Sequence, residues 1–299
     1  MRILFLLFII FSGILLSITS CDIINPEEPI PAFLFIPEFS LITDEITEGT
    51  NSQKITEVHI FVANEFLGIF TLPATIPVLE EGLNEVQIFP AIRANGLGDI
   101  TDIYPFYIPY EAELEFIPAI IDTIFPVTEY QETAKFFFEA QESFEDGTLA
   151  FSEDLDGNPE TTIEITNQVV FEGNGSGLIQ LEQDDDQIEL GSNFITEMPN
   201  IDAITTYLEL DYMTEITFLV GVLGFDSQGR IISSAIDKGV NPIDDWNKIY
   251  FDFTDEMIQL IQLGNQLAGY RFVIIADLFN GDPEQANIYL DNIKLVQFR

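Results

Sequence analysis

Among side chains able to serve as nucleophile, general base or soft metal ligand, the 299-residue chain has one thiol, Cys21, and one imidazole, His59. One cysteine rules out an internal disulfide and a thiolate zinc cluster. Any Ser–His or Cys–His machine would have to use His59, which lies in Val58-His59-Ile60-Phe61-Val62. The apolar parity of Val58, Ile60 and Val62 predicts a strand with His59 on its other side, a neutral histidine facing solvent. Carboxylates are abundant, 51 Asp and Glu against 10 Lys and Arg. With so many, some pair always falls at glycosidase spacing, so a pair alone does not point to hydrolysis. Asp154–Glu160 has the composition of a calcium loop but fails as an EF-hand. Pro159 stands where Gly is required and Ile165 where the bidentate Glu belongs. It reads as a polar turn, and Asp184-Asp185-Asp186 as a solvated hairpin tip. The remaining chemistry is aromatic. Trp246, the lone tryptophan, with Tyr207, Tyr212 and Tyr250, is of the type that stacks on sugar rings, although such rings more often pack into cores.

The formal charge of −41 excludes nucleic acid as a partner, since phosphate binding needs a Lys/Arg surface. It also disfavours contact with anionic headgroups unless divalent cations bridge. A dense carboxylate coat keeps an exported protein soluble, and that is the plain reading of the charge.

The elements that must position these groups begin with residues 1–20. Arg2 precedes an apolar run from Ile3 to Ile18, short for a spanning helix and sufficient for a signal-peptide core. The run ends in Ile18-Thr19-Ser20-Cys21, which resembles the lipobox of bacterial lipoproteins. The resemblance implies cleavage before Cys21 and acylation of its thiol and amine. Membrane contact is then through the N-terminal lipid, in the cell envelope, with an outer-membrane location. Residues 21–31, with Pro26, Pro29 and Pro31, form an extended tether. Asp22 is similar to an inner-membrane retention signal of enteric bacteria, whereas Glu27 and Glu28 are similar to surface sorting in Bacteroidota, so the leaflet stays open.

Residues 32–118 alternate in short apolar runs separated by turns at Ala63-Asn64-Glu65, Glu80–Asn84 and Arg93–Gly98. That pattern predicts an antiparallel β-sandwich. Val58–Leu72, Leu72-Pro73-Ala74-Thr75-Ile76-Pro77 and Glu81–Val86 resemble small Ig-like domains of PEGA or carboxypeptidase-regulatory type, which space or present other modules. Tyr104-Pro105-Phe106-Tyr107 and Tyr110 are either a stacking surface or core. Residues 119–132, with Pro126 and a run of threonines and acids, read as a linker.

Residues 133–299 carry nine or ten strand patterns and one helix at Asp255–Leu263, with Thr254 as its N-cap. The count fits a β-jelly-roll sandwich better than a seven-stranded domain. Phe144-Glu145-Asp146-Gly147, Asp245–Phe253 and Ala286–Leu295 resemble the galactose-binding-like jelly rolls common among carbohydrate-binding modules. The whole chain resembles uncharacterised Bacteroidota surface lipoproteins. The jelly-roll resemblance implies one structural Ca²⁺, held by Glu145 or Asp146 together with Asp291. The alternative is that Asp291 bonds nearby backbone amides. Within the last strand, Ile288 and Leu290 have one parity and Ile293 and Leu295 the other, which predicts a β-bulge at Asp291-Asn292.

The fold expected is therefore all-β, a signal peptide and tether followed by an Ig-like sandwich and a larger jelly roll. Three functions fit: a non-catalytic envelope module binding a polysaccharide, a structural subunit with an envelope-protein partner, and a two-carboxylate glycoside hydrolase.

Overall fold

The computed structural model describes residues 28–96, 101–137, 141–199, 201–202, 204–279 and 282–298. Cys21, the signal segment and most of the tether lie outside them. Period-two apolar patterning sets the strands of the first domain: β1 (Ala32–Ile36), β2 (Ser40–Ile42), β3 (Glu57–Val62), β4 (Glu65–Thr71), β5 (Ala74–Val78), β6 (Gly82–Ile92), β7 (Asp102–Ile103), β8 (Tyr110–Phe116), β9 (Ile121–Thr123) and β10 (Val127–Glu129). β3 and β4 join through Ala63-Asn64, both at positive φ, the type I′ geometry that matches strand twist. One sheet runs β4-β3-β6-β7 with β8 also on β6. A second runs β5-β1-β9, and β2 pairs with β10. Leu34, Ile36, Val58, Ile60, Ile76, Val86 and Ile88 are buried between them.

The 119–132 segment is not a linker. β9 pairs in parallel with β1 and β10 in parallel with β2. Pro118 and Pro126 punctuate these short strands and leave their pairing intact, so the first domain extends to the start of the next strand.

The second domain is built from β11 (Ala134–Phe136), β12 (Phe151–Asp154), β13 (Ile163–Thr166), β14 (Ser176–Glu182), β15 (Gln187–Ser192), β16 (Thr206–Thr214), β17 (Phe218–Phe225), β18 (Ile231–Val240), β19 (Ile243–Asp252), helix α1 (Thr254–Gln262), β20 (Gly269–Asp277) and β21 (Gln285–Phe298). A six-stranded sheet, β13-β14-β21-β16-β19 with β11 on β21, faces a five-stranded sheet, β12-β15-β20-β17-β18. Successive strands switch sheets at every step except β13–β14 and β17–β18, which makes the sandwich a jelly roll. Phe144, Phe151, Leu208, Phe218, Phe251, Phe272, Ile288 and Leu295 fill its core.

The apolar run Val169–Phe171 reads as a strand, but it is part of a loop that folds over the sheet. Thr254 does not cap α1. The cap position is Phe253, without a side-chain bond, and Thr254 Oγ1 instead accepts the Thr206 amide at 3.2 Å.

Candidate functional site

The six-stranded sheet turns one face to the jelly-roll core and the other outward. Along β19, Ile249 and Phe251 point in while Trp246, Lys248, Tyr250 and Asp252 share the outward parity. On β16 the outward residues are Tyr207, Glu209, Asp211 and Met213. On β21 the parity changes at Asp291-Asn292, where Asn292 has φ 49° and the pairing skips from Glu209–Lys294 to Asp211–Asp291. This is the bulge that the apolar pattern requires. It lets Tyr289, Asp291 and Lys294 lie on the outward face while Leu290, Ile293 and Leu295 stay in the core.

The first domain covers half of this face. Tyr207 and Tyr250 are buried against Tyr104, with ring centroids 5.2 and 5.1 Å away. Tyr104 and Tyr130 both donate to Glu209 Oε1, at 2.6 and 2.8 Å. Lys248 Nζ stands 3.3 Å from Glu209 Oε2 and 3.8 Å from Asp211 Oδ2. Ser52 donates to Asp211 at 2.7 Å, and Lys294 donates to the Thr50 carbonyl. Residues 93–96 of the turn after β6 dock on the sheet edge. Ala94 bridges Tyr250, the Asn95 amide donates to the Tyr250 carbonyl at 2.7 Å, and Asn95 Oδ1 accepts the Asp252 amide at 3.0 Å.

Charge in this seam is set by burial and pairing. Burial works against the Lys248 ammonium, but Asp211 and Glu209 hold its pKa above the usual lysine value. Lys294 has weaker support, and burial brings it down to about 8. Burial and the Glu209 charge push the Tyr104 and Tyr130 hydroxyls well above the usual tyrosine range, so both remain donors. Removing charge from water is repaid only when every partner is in place.

The other half of the face is open. A cross-strand row runs Glu164, Leu178, Tyr289 and Met213 over β13, β14, β21 and β16. Trp246 stands beside it, with Tyr289 at 6.5 Å and Phe171 at 5.5 Å between ring centroids. Trp246 and Tyr289 are half-buried and Phe171 is exposed. The next row pairs Gln180 with Asn287 at 3.2 Å, and Glu215 accepts both the backbone and side-chain amides of Asn287. A cleft of about 190 Å³ lined by Glu160, Thr162, Glu164, Leu178, Gln180 and Glu182 continues the surface. None of these groups is Lys or Arg.

Of the aromatic candidates, only Trp246 reaches this open surface. Tyr207 and Tyr250 are sealed under the first domain, and Tyr212 packs into the jelly roll against Phe218 at 5.8 Å. Neither ring face of these three is free for a ligand. Tyr104, Phe106 and Tyr107 are likewise buried. His59 lies on the strand side opposite Val58 and Ile60, and partial burial holds its pKa below the usual histidine value.

The three carboxylates expected around calcium do not converge. Glu145 accepts the Asn174 and Gly175 amides at 2.6 and 3.0 Å. Asp146 turns to Thr148, accepting its amide and hydroxyl. Asp291 accepts the Glu172 amide at 3.3 Å and the Asn292 amide at 2.9 Å, and burial pushes it up to about 7. No group of three or more His, Cys, Asp or Glu among the described residues is placed to hold a metal. Glu145 and Asp291 instead hold the 171–175 loop that carries Phe171 over Trp246. The sequence reading missed Glu142. Its buried carboxylate accepts the Phe144 and Ala150 amides, each at 2.7 Å, and ties the 142–150 loop. Its neighbours are ordinary loop residues, so only the fold reveals it.

Fold and site together define an all-β protein of two sandwiches, the second a jelly roll with a half-covered outer face. No protein-family model matches the chain, and no curated protein matches it. Among solved structures it is similar to the C-terminal family 22 carbohydrate-binding module of Clostridium thermocellum Xyn10B. That match has 15% identity over 55% of this chain and 93% of the module, with a TM-score of 0.35. It is also similar to the CBM22-1 xylan-binding domain of Paenibacillus barcinonensis Xyn10C, at 12% identity over 56% of this chain and 98% of that domain, TM-score 0.39. A third match comes from a study of promiscuous specificity in β-sandwich carbohydrate-binding modules, at 16% identity over 90% of this chain and 99% of that one, TM-score 0.37.

Proposed function

We propose that this protein is a cell-envelope lipoprotein, anchored through Cys21, whose jelly roll binds a neutral polysaccharide without catalysis. The observation that carries this reading is the open half of the six-stranded sheet. There Phe171, Trp246 and Tyr289 adjoin Gln180, Asn287 and Glu164. Aromatic faces suit the C–H faces of a pyranose, while amides and carboxylates bond its hydroxyls. The carboxylates Glu164, Glu182 and Glu215 around this surface disfavour uronate or sulfated chains. The first domain holds the jelly roll out from the membrane. It also seals the half of the face where an extended chain would otherwise run on.

The reading is tested by electrophoresis of the full chain through gels containing neutral or anionic polysaccharides. Retardation by at least one neutral polymer and none by anionic ones is expected. Equal mobility in every gel would refute it.

A further inference from the structure

The first sandwich has two outer faces, one carrying a row of carboxylates beside the ring cluster Phe61, Phe66 and Phe89, the other without charge across its strands. On one, β8 presents Glu111, Glu113 and Glu115 outward, and β6 sets Glu85 directly opposite Glu113. On the other, the sheet β5-β1-β9 turns Leu34, Ile36, Ile76 and Val78 inward. Its outward positions are Phe33, Phe35, Thr75, Pro77, Ile121 and Thr123. None of those six is charged, in a chain of formal charge −41. Leu79 and Phe125 extend the surface just past β5 and β9, and the Ile117–Ile120 turn closes one end, its Ala119 amide donating to the Pro31 carbonyl. Leu79 is 57%, Ile121 60% and Phe125 65% exposed. A sheet with one solvated face normally shows polar residues outward, and a contiguous apolar surface of this kind marks a contact.

The path of the chain says what covers it. Ile30, 63% exposed, leads directly into β1 at the border of this surface. Eight residues, Asp22 to Pro29, separate it from Cys21, and even fully extended the segment from Cys21 to Ile30 spans at most roughly 30 Å. Acyl chains on Cys21 therefore keep the apolar face within that distance of a bilayer. We propose that the outer face of β5-β1-β9 lies on the lipid surface, seated among zwitterionic headgroups, with the acidic β8 face turned away. This rests on the proposed lipid attachment at Cys21. Apolar burial at the interface drives the seating, while the charge of the chain disfavours anionic lipid. Anchor and face then act as two membrane signals, which hold far better than one.

The test uses the lipidated full chain with one added cysteine, Ile121→Cys or Phe125→Cys, or Ile231→Cys on β18 as an exposed control. Each is labelled with a fluorophore. The labelled chains are reconstituted in phosphatidylcholine–phosphatidylethanolamine vesicles containing a nitroxide-bearing phosphatidylcholine. Several-fold quenching at positions 121 and 125, with little at 231, is expected. A chain that floats with the vesicles but is quenched alike at all three positions overturns the face contact and leaves the lipid attachment standing. A chain that does not float overturns both. Quenching between labels on separate copies, without nitroxide, would assign the face to a second copy and overturn the lipid contact.

Discussion

Glu209 of the jelly roll and Tyr104 of the first domain meet across the seam in a hydrogen bond of 2.6 Å, both side chains out of reach of solvent. The same carboxylate oxygen takes the Tyr130 hydroxyl, and the other faces Lys248. A buried carboxylate with these partners makes the position of one domain a condition for the stability of the other.

Removing one hydroxyl, by Tyr104→Phe or Tyr130→Phe, is expected to cost roughly 1–2 kcal/mol. Glu209→Ala should cost more, about 3–5 kcal/mol, because it strands the buried Lys248 charge. Urea unfolding followed by both far-ultraviolet circular dichroism and Trp246 fluorescence checks this. The parent should show one coincident transition, and Glu209→Ala two separated ones.

The bulge at Asp291-Asn292 needs a left-handed residue at 292, and the Asn292 side-chain Nδ2 also donates to Asp211 at 3.0 Å and Glu172 at 3.3 Å. Asn292→Ala combines backbone strain with the loss of both bonds, roughly 2–3 kcal/mol. Asn292→Gly relieves the strain and should recover about 1 kcal/mol of that. Thermal unfolding of the pair gives the difference.

Two buried groups give stability a characteristic pH dependence. Asp291 holds its proton up to about pH 7 in the folded chain, against an ordinary value of 3.8. Between those values the folded state binds the extra proton, so stability falls as pH rises across that window. Lys294 releases its proton at about 8 when folded, against an ordinary 10.5. Between these two values the unfolded state binds more protons, and stability rises with pH. Asp291→Asn should flatten the acid limb and Lys294→Met the alkaline one, as read from urea midpoints at each pH.

Cys21→Ala removes the thiol that the lipobox resemblance makes the attachment point. After cell fractionation the variant is expected in the soluble fraction and the parent with membranes. A variant that stayed with the membranes would remove the basis for the anchor.

Much of the strand layout was readable from parity alone. Val58, Ile60 and Val62 announce β3, and the slip between Leu290 and Ile293 announces the bulge, because each is a local consequence of the two-residue repeat. What sequence could not supply is the identity of the neighbour. Tyr207 and Tyr250 have outward parity, as an exposed platform would, yet the first domain lies on them. β9 and β10 are three residues each and exist through parallel pairing with β1 and β2, a contact no local pattern reports. Asp146 looked like a metal ligand beside Glu145, but Glu142, which nothing in its surroundings marked, is the carboxylate that shapes that loop.

Trp246, as the lone tryptophan, reports directly on the open half of the sheet. Its fluorescence, titrated with neutral polysaccharide, should shift and saturate, and Phe171→Ala, which removes an exposed ring beside it, should weaken binding about tenfold or more while leaving the unfolding midpoint nearly unchanged. A polysaccharide that binds the chain with no change at Trp246, and with equal affinity in Phe171→Ala, would contradict the assignment of this face as the binding surface.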